Sequence, residues 1–157
     1  MPGGLPVYSM SVRRIVDRLK MITMANGYTF DANVVVPRFA DEAIRFGPRD
    51  ILVEVGRPRP SDEVGGGPDR RYVARNVQVV AYLDAPQDGT EPLHEVHDRM
   101  QAELMRALRL HDRQDQIAEK VVWVDSPDDT PVDGPAAIVV LELHDIVEIG
   151  DHTKGRA

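Results

Sequence analysis

The sequence predicts an α+β fold: a mainly antiparallel sheet with two amphipathic helices packed on one face, in a single domain. Three observations carry this. Two stretches, "VRRIVDRLKMI" and "LHEVHDRMQAELMRALRL", repeat apolar residues at three- and four-residue steps, the period of a half-buried helix. Five others are rich in β-branched residues and bounded by turn formers: "NVVV", "DILVEV", "RYVARNVQVVAYLDA", "KVVWVD" and "AAIVVLELHDIVEIG". The longest of these alternate apolar with polar positions, so one sheet face is expected to be partly wet and both helices fall on the other.

The first helix is expected to start after Ser9 or Ser11, whose hydroxyls suit the orphan amides of a first turn. Val12, Ile15, Val16, Leu19 and Ile22 form its stripe, and Arg13, Arg14, Asp17, Arg18 and Lys20 take the other side. Asn26 and Gly27 tolerate positive φ and are expected to close the helix in a left-handed cap. Strands at 33–36, ending at Pro37, and at 50–55 follow. The segment 56–70, "GRPRPSDEVGGGPDR", joins prolines, glycines and mixed charge and reads as a long mobile loop. In the strand at 71–85, Val73, Val77, Val79, Ala81 and Leu83 share a face with Arg75 as the exception, opposite Asn76, Gln78 and Tyr82. The second helix is expected over about 91–110, capped by Thr90, with Leu93, Val96, Met100, Leu104, Ala107 and Leu108 inward. Strands at 120–125 and 136–150 are joined by the turn-rich "SPDDTPVDGP", and along the last one Glu142, His144 and Glu148 alternate with apolar residues. Residues 1–8 and 150–157 are expected to be flexible ends.

Composition bounds the function. The chain has 157 residues, 42% hydrophobic and 29% charged, enough for one packed core. With no cysteine, disulfides, thiolate zinc sites and thiol nucleophiles are excluded. The apolar runs fall far short of the ~20 residues of a membrane helix, and no export signal is expected at the start. The net charge of -7, with 19 basic residues interleaved among 26 acidic ones, disfavours tight binding to nucleic acid. It suits ordinary solubility, or a surface past which nucleic acid slides without sticking.

No stretch carries a catalytic pattern. His94 and His97 in "HEVHD" are three apart on a helix, not the four of a zincin, and a hydrogen-bonded histidine is the simpler reading. "RDILVEVG" resembles the acidic strand of a metal nuclease, but Gly56 stands where the lysine two residues after Glu54 belongs. "VGGGPDR" precedes a strand and not a helix, so it offers no phosphate cradle. Asp128, Asp129 and Asp133 lack the spacing and closing glutamate of an EF-hand. The reading is a protein without cofactor or metal and without enzymatic activity.

The stretch "VRRIVDRLKMITMANGY", followed by "TFDANVVVPRF", resembles the tail terminator, or tail completion, proteins of tailed bacteriophages. In that family the first helix commonly ends in a stretch like "ITTANGY". Ile22-Thr23-Met24-Ala25-Asn26-Gly27-Tyr28 departs from it only at Met24. The motif lies in the first forty or so residues, and the resemblance in layout extends over 9–149. It implies a subunit of a ring, usually hexameric, that caps the tail tube, stops its polymerisation and joins the tail to a head connector or neck protein. DNA would pass through the ring, in a virion assembled in the host cytoplasm. On this reading the loops 56–70 and 126–135 are the expected assembly contacts, with Arg57, Arg59, Asp62, Glu63, Asp69, Asp128 and Asp129 as their charged residues. Two alternatives remain open: another neck or head-completion protein, and a metal-dependent nuclease or hydrolase using Glu54, His94 and His97.

Overall fold

The computed structural model describes residues 5–37, 49–61, 70–82, 91–124 and 136–148. In chain order the elements are α1 (Val7–Lys20), β1 (Asn33–Val35), β2 (Asp50–Val55), β3 (Arg59–Pro60), β4 (Arg70–Tyr82), α2 (Leu93–Leu108), β5 (Lys120–Val124) and β6 (Ala136–Glu148). The six strands form one sheet in the order β1-β2-β4-β6-β5, with β3 paired to β4 beyond the end of β2. β1 and β2 are parallel, and every other pair is antiparallel.

The predicted α+β layering holds, and the cross-strand register explains it. Val53 lies opposite Val79 and Val79 opposite Val139, while Val77 lies opposite Leu141. Residues facing each other across strands share a sheet face, so this row gathers β-branched side chains on one side. Both helices lie there. Ile15, Leu19 and Ile22 from the α1 region and Met100, Leu104, Ala107 and Leu108 from α2 join these residues in one buried core. At roughly 1.5–3 kcal/mol for each large apolar side chain withdrawn from water, this layer is the main source of stability.

Several local expectations change. α1 starts at Val7 behind Pro6, whose carbonyl accepts from the amides of Ser9 and Met10 at 2.9 and 3.1 Å. Pro6 is the N-cap, with extended ψ of 151°, and no side chain caps the first turn. Ser9 and Ser11 therefore lie inside α1, and Val7 and Tyr8 belong to it, not to a loose end. The helix stops at Lys20, and Gly27, at φ 87°, closes a separate 3-10 turn, Met24–Asn26, that Thr23 caps through its side chain. Arg18, expected on the solvent side, is 5% exposed. The Thr90 cap, residues 1–4 and the tail lie outside the described residues.

The segment after Gly56 is not wholly a loop. From the Val55–Val77 pair to the Arg59–Ala74 pair, the β2–β3 strand advances four residues and β4 only three. That single extra residue is a β-bulge, and it reverses which residues face which side. Gly56 sits at its start, donating its amide to the Asn76 carbonyl at 2.8 Å. A Cβ at Gly56 would lie 3.1 Å from that carbonyl, which favours glycine here.

Candidate functional site

The bulge builds a polar cluster on the sheet face opposite the helices. Before it, residues 51, 53 and 55 pair with odd-numbered residues of β4, on the core side. After it, Arg59 pairs with Ala74, on the even side, where β6 presents Glu142 and His144. Ser61 follows two residues later on the same side, its amide donating to the Tyr72 carbonyl at 3.1 Å.

These residues form a continuous chain. Ser61 Oγ lies 2.6 Å from His144 Nδ1, and His144 Nε2 lies 2.6 Å from Glu142 Oε1. Arg59 donates to Glu142 Oε2 at 2.7 Å and to Asn76 Oδ1 at 3.3 Å. A carboxylate only accepts, so a neutral His144 carries its proton on Nε2 and leaves Nδ1 to accept from the Ser61 hydroxyl. The ring is 6% exposed, and both its nitrogens are engaged. This is a serine–histidine–carboxylate series held by an arginine. Its imidazole is enclosed, and Ser61 directly follows β3 beside it. What the geometry does is clasp the two-residue strand β3 to β6.

The same face changes character along its length. Leu52, Ala74 and Val80 are buried on it, while Asn76 is exposed and Gln78 half-buried. The side expected to be wet from alternation is therefore polar and open at Asn76, Gln78 and Glu142 and apolar toward the Leu52–Val80 pair.

A second polar centre lies under α1. Asp145, 2% exposed on β6, has its carboxylate oxygens 2.8 and 2.9 Å from Ser11 Oγ. Burial raises its pKa above the usual carboxylate value, an effect opposed by hydrogen bonds from Ser11 and the Glu119 backbone and by Arg14. Asp145 also lines a depression of about 390 Å³ with Arg14, Glu119 and Ile146. Nearby, Arg75 points to the helix side with its guanidinium carbon 5.1 Å from the centre of the Tyr8 ring.

The stretch 22–30 is tied to α2. Glu103 accepts from the Thr29 amide at 3.0 Å and from its hydroxyl at 2.8 Å. Arg106 stacks 4.0 Å from the Tyr28 ring centre and donates to the Gly27 carbonyl at 3.2 Å. Ile22 is fully buried. Asn26, Gly27 and Tyr28 thus form a turn docked on the second helix.

Of the charged residues expected at assembly contacts, Arg57 is exposed and Arg59 belongs to the clasp. Asp62, Glu63, Asp69, Asp128 and Asp129 lie outside the described residues, as does the loop 126–135. Glu54 and His94 are exposed, on β2 and α2, and His97 is half-buried on α2. Among the described residues no group of three or more histidine, aspartate or glutamate side chains is placed to hold a metal, and no helix is long and apolar enough to cross a membrane. Sequence reasoning missed Asp145 and Ser61. The odd-numbered parity of β6 was a usable signal for Asp145, whereas nothing local announced the bulge that positions Ser61.

No family model matches the chain, and no curated protein matches it.

Proposed function

We propose that this protein is a structural subunit of a bacteriophage tail, which assembles into a ring at the end of the tail tube, stops tube growth and joins the tail to the head connector. The observation that carries the reading is the turn Ile22–Tyr28, the residues of the family resemblance, folded as one docked unit between α1 and α2. Its parts have distinct roles: Ile22 enters the core, Thr23 caps the 3-10 turn, Gly27 supplies positive φ and Tyr28 receives Arg106. A motif used this way fixes the relation of two helices and has no catalytic content, as suits an assembly protein.

Three further features support the reading. The sheet ends in two different strands, β1 and β5, which offers the unlike surfaces that a head-to-tail ring requires. The net charge of -7 suits a lumen through which DNA passes without adhering. The exposed Met21, beside the docked turn, and Met24, within it, add adaptable apolar surface for a partner protein.

The test is tube growth. Added in substoichiometric amount to polymerising cognate tail tube protein, the chain is expected to shorten the tubes and to appear at one end in electron micrographs. Tubes of unchanged length with bare ends would refute the reading.

A further inference from the structure

We infer that neighbouring copies join edge to edge, with β5 of one pairing antiparallel to β1 of the next. The inference rests on the ring reading above and names the surfaces that make the ring. Strand direction is its first support. β2 and β6 both run antiparallel to β4, β1 runs with β2, and β5 runs against β6. β5 and β1 therefore point in opposite directions at the two ends of the sheet. Rotating a copy about an axis along the strands brings its β1 against its neighbour's β5 in antiparallel sense, the more stable ladder.

The second support is what the edges expose. β5 reads Lys-Val-Val-Trp-Val, five residues with no proline or glycine and a charge only at the first. Trp123 is 46% and Val124 40% exposed, and at the far edge Val36, just past β1, is 39% exposed. Natural edge strands are usually blunted by charge, proline or a bulge, because an apolar open edge recruits another strand. β5 lacks these devices along its length, as expected of an edge that is filled in the working assembly. Pairing β5 with another β5 would close at two copies and leave β1 open in both. Only β5 with β1 uses both edges of every copy and repeats around a ring. β1 spans just three residues, so Trp123, Val124 and Val36 must supply much of the contact.

The absence of cysteine makes the test direct. Val35→Cys and Val122→Cys, both on the face opposite the helices, are placed singly and together in the full chain, assembled with tail tube protein and treated with a short bismaleimide. A ladder of covalent oligomers from the double variant, with the single variants uncoupled, is the expected result. Val124→Cys in place of Val122→Cys covers a two-residue shift, the smallest that keeps the same face. Self-coupled dimers of the single Val122→Cys variant would overturn the inference in favour of a two-fold β5 contact. Rings visible by light scattering with no ladder from either double variant would overturn it while leaving the capping function standing. A monomer that ignores tubes would remove both. As a second arm, Trp123→Glu should lower the ring fraction at least tenfold with an unchanged circular dichroism spectrum, and full ring formation by that variant would contradict the edge contact.

Discussion

Two arginines placed about forty residues apart in sequence show how burial decides what a charge is worth. Arg18, 5% exposed, reaches from α1 to the carbonyls of Leu108, Arg109 and Asp115, where α2 ends, and lies 3.4 Å from the Asp115 carboxylate. Arg59, 45% exposed, reaches across the open sheet face to Glu142 and Asn76. Desolvation lowers the pKa of Arg18 from its ordinary value, partly offset by Asp115, yet an arginine stays charged at any ordinary pH. The first therefore satisfies the buried Leu108 carbonyl and ties the end of α2 to the segment that follows, and the second adds to a strand that the ladder already holds.

That contrast breaks most visibly in the core. Leu104→Ala, at a fully buried α2 position, is expected to cost about 3–4 kcal/mol, read from urea unfolding monitored by circular dichroism. Arg18→Ala should cost about 2–3 kcal/mol, because the carbonyls of Leu108 and Asp115 lose a charged donor in a partly dry site. Arg18→Lys should recover only part of it, since one ammonium cannot span the same acceptors.

Asp145 gives the comparison a pH dependence. Its carboxyl has a raised pKa in the folded state, so the fold binds this proton more tightly than the unfolded chain does. Its contribution to stability is therefore fully present below the ordinary carboxylate value and is lost as pH rises through the raised folded one. Asp145→Asn keeps the partner for Ser11 and removes the titration. The stability of the wild type relative to this variant should fall as pH rises from acid toward neutral, and a constant difference across that range would refute the assignment. The smallest effect is expected at Arg59→Ala, below about 1 kcal/mol in global stability, because the pair is half exposed to solvent. Its mark should be local: faster hydrogen exchange at the Ser61 amide, which bonds the Tyr72 carbonyl beside the clasp.

The layering was legible in the sequence because period decides it. Val77 and Val79 on one side, Asn76 and Gln78 on the other, and the α2 stripe from Val96 to Leu108 all fell where alternation placed them. What escaped was set by contacts distant in sequence. Arg18 reads as a solvent residue until the end of α2 arrives beside it, and Ser11 reads as a cap until Asp145 meets it 134 residues later. Ser61, Glu142 and His144 converge only because one extra residue after Gly56 flips the strand's faces, and the alternation of "GRPRPS" hides that shift. The turn at 22–28 was recognised as a motif, but its physical role, docking on Glu103 and Arg106, required α2 in place.

The most direct test of the proposed role is the mass of the purified protein in solution, alone and with cognate tail tube protein, by light scattering and then negative-stain imaging. The account predicts rings of several copies, usually six in the family it resembles, seated at one end of each tube. A monomer or dimer that leaves both tube ends bare would contradict it.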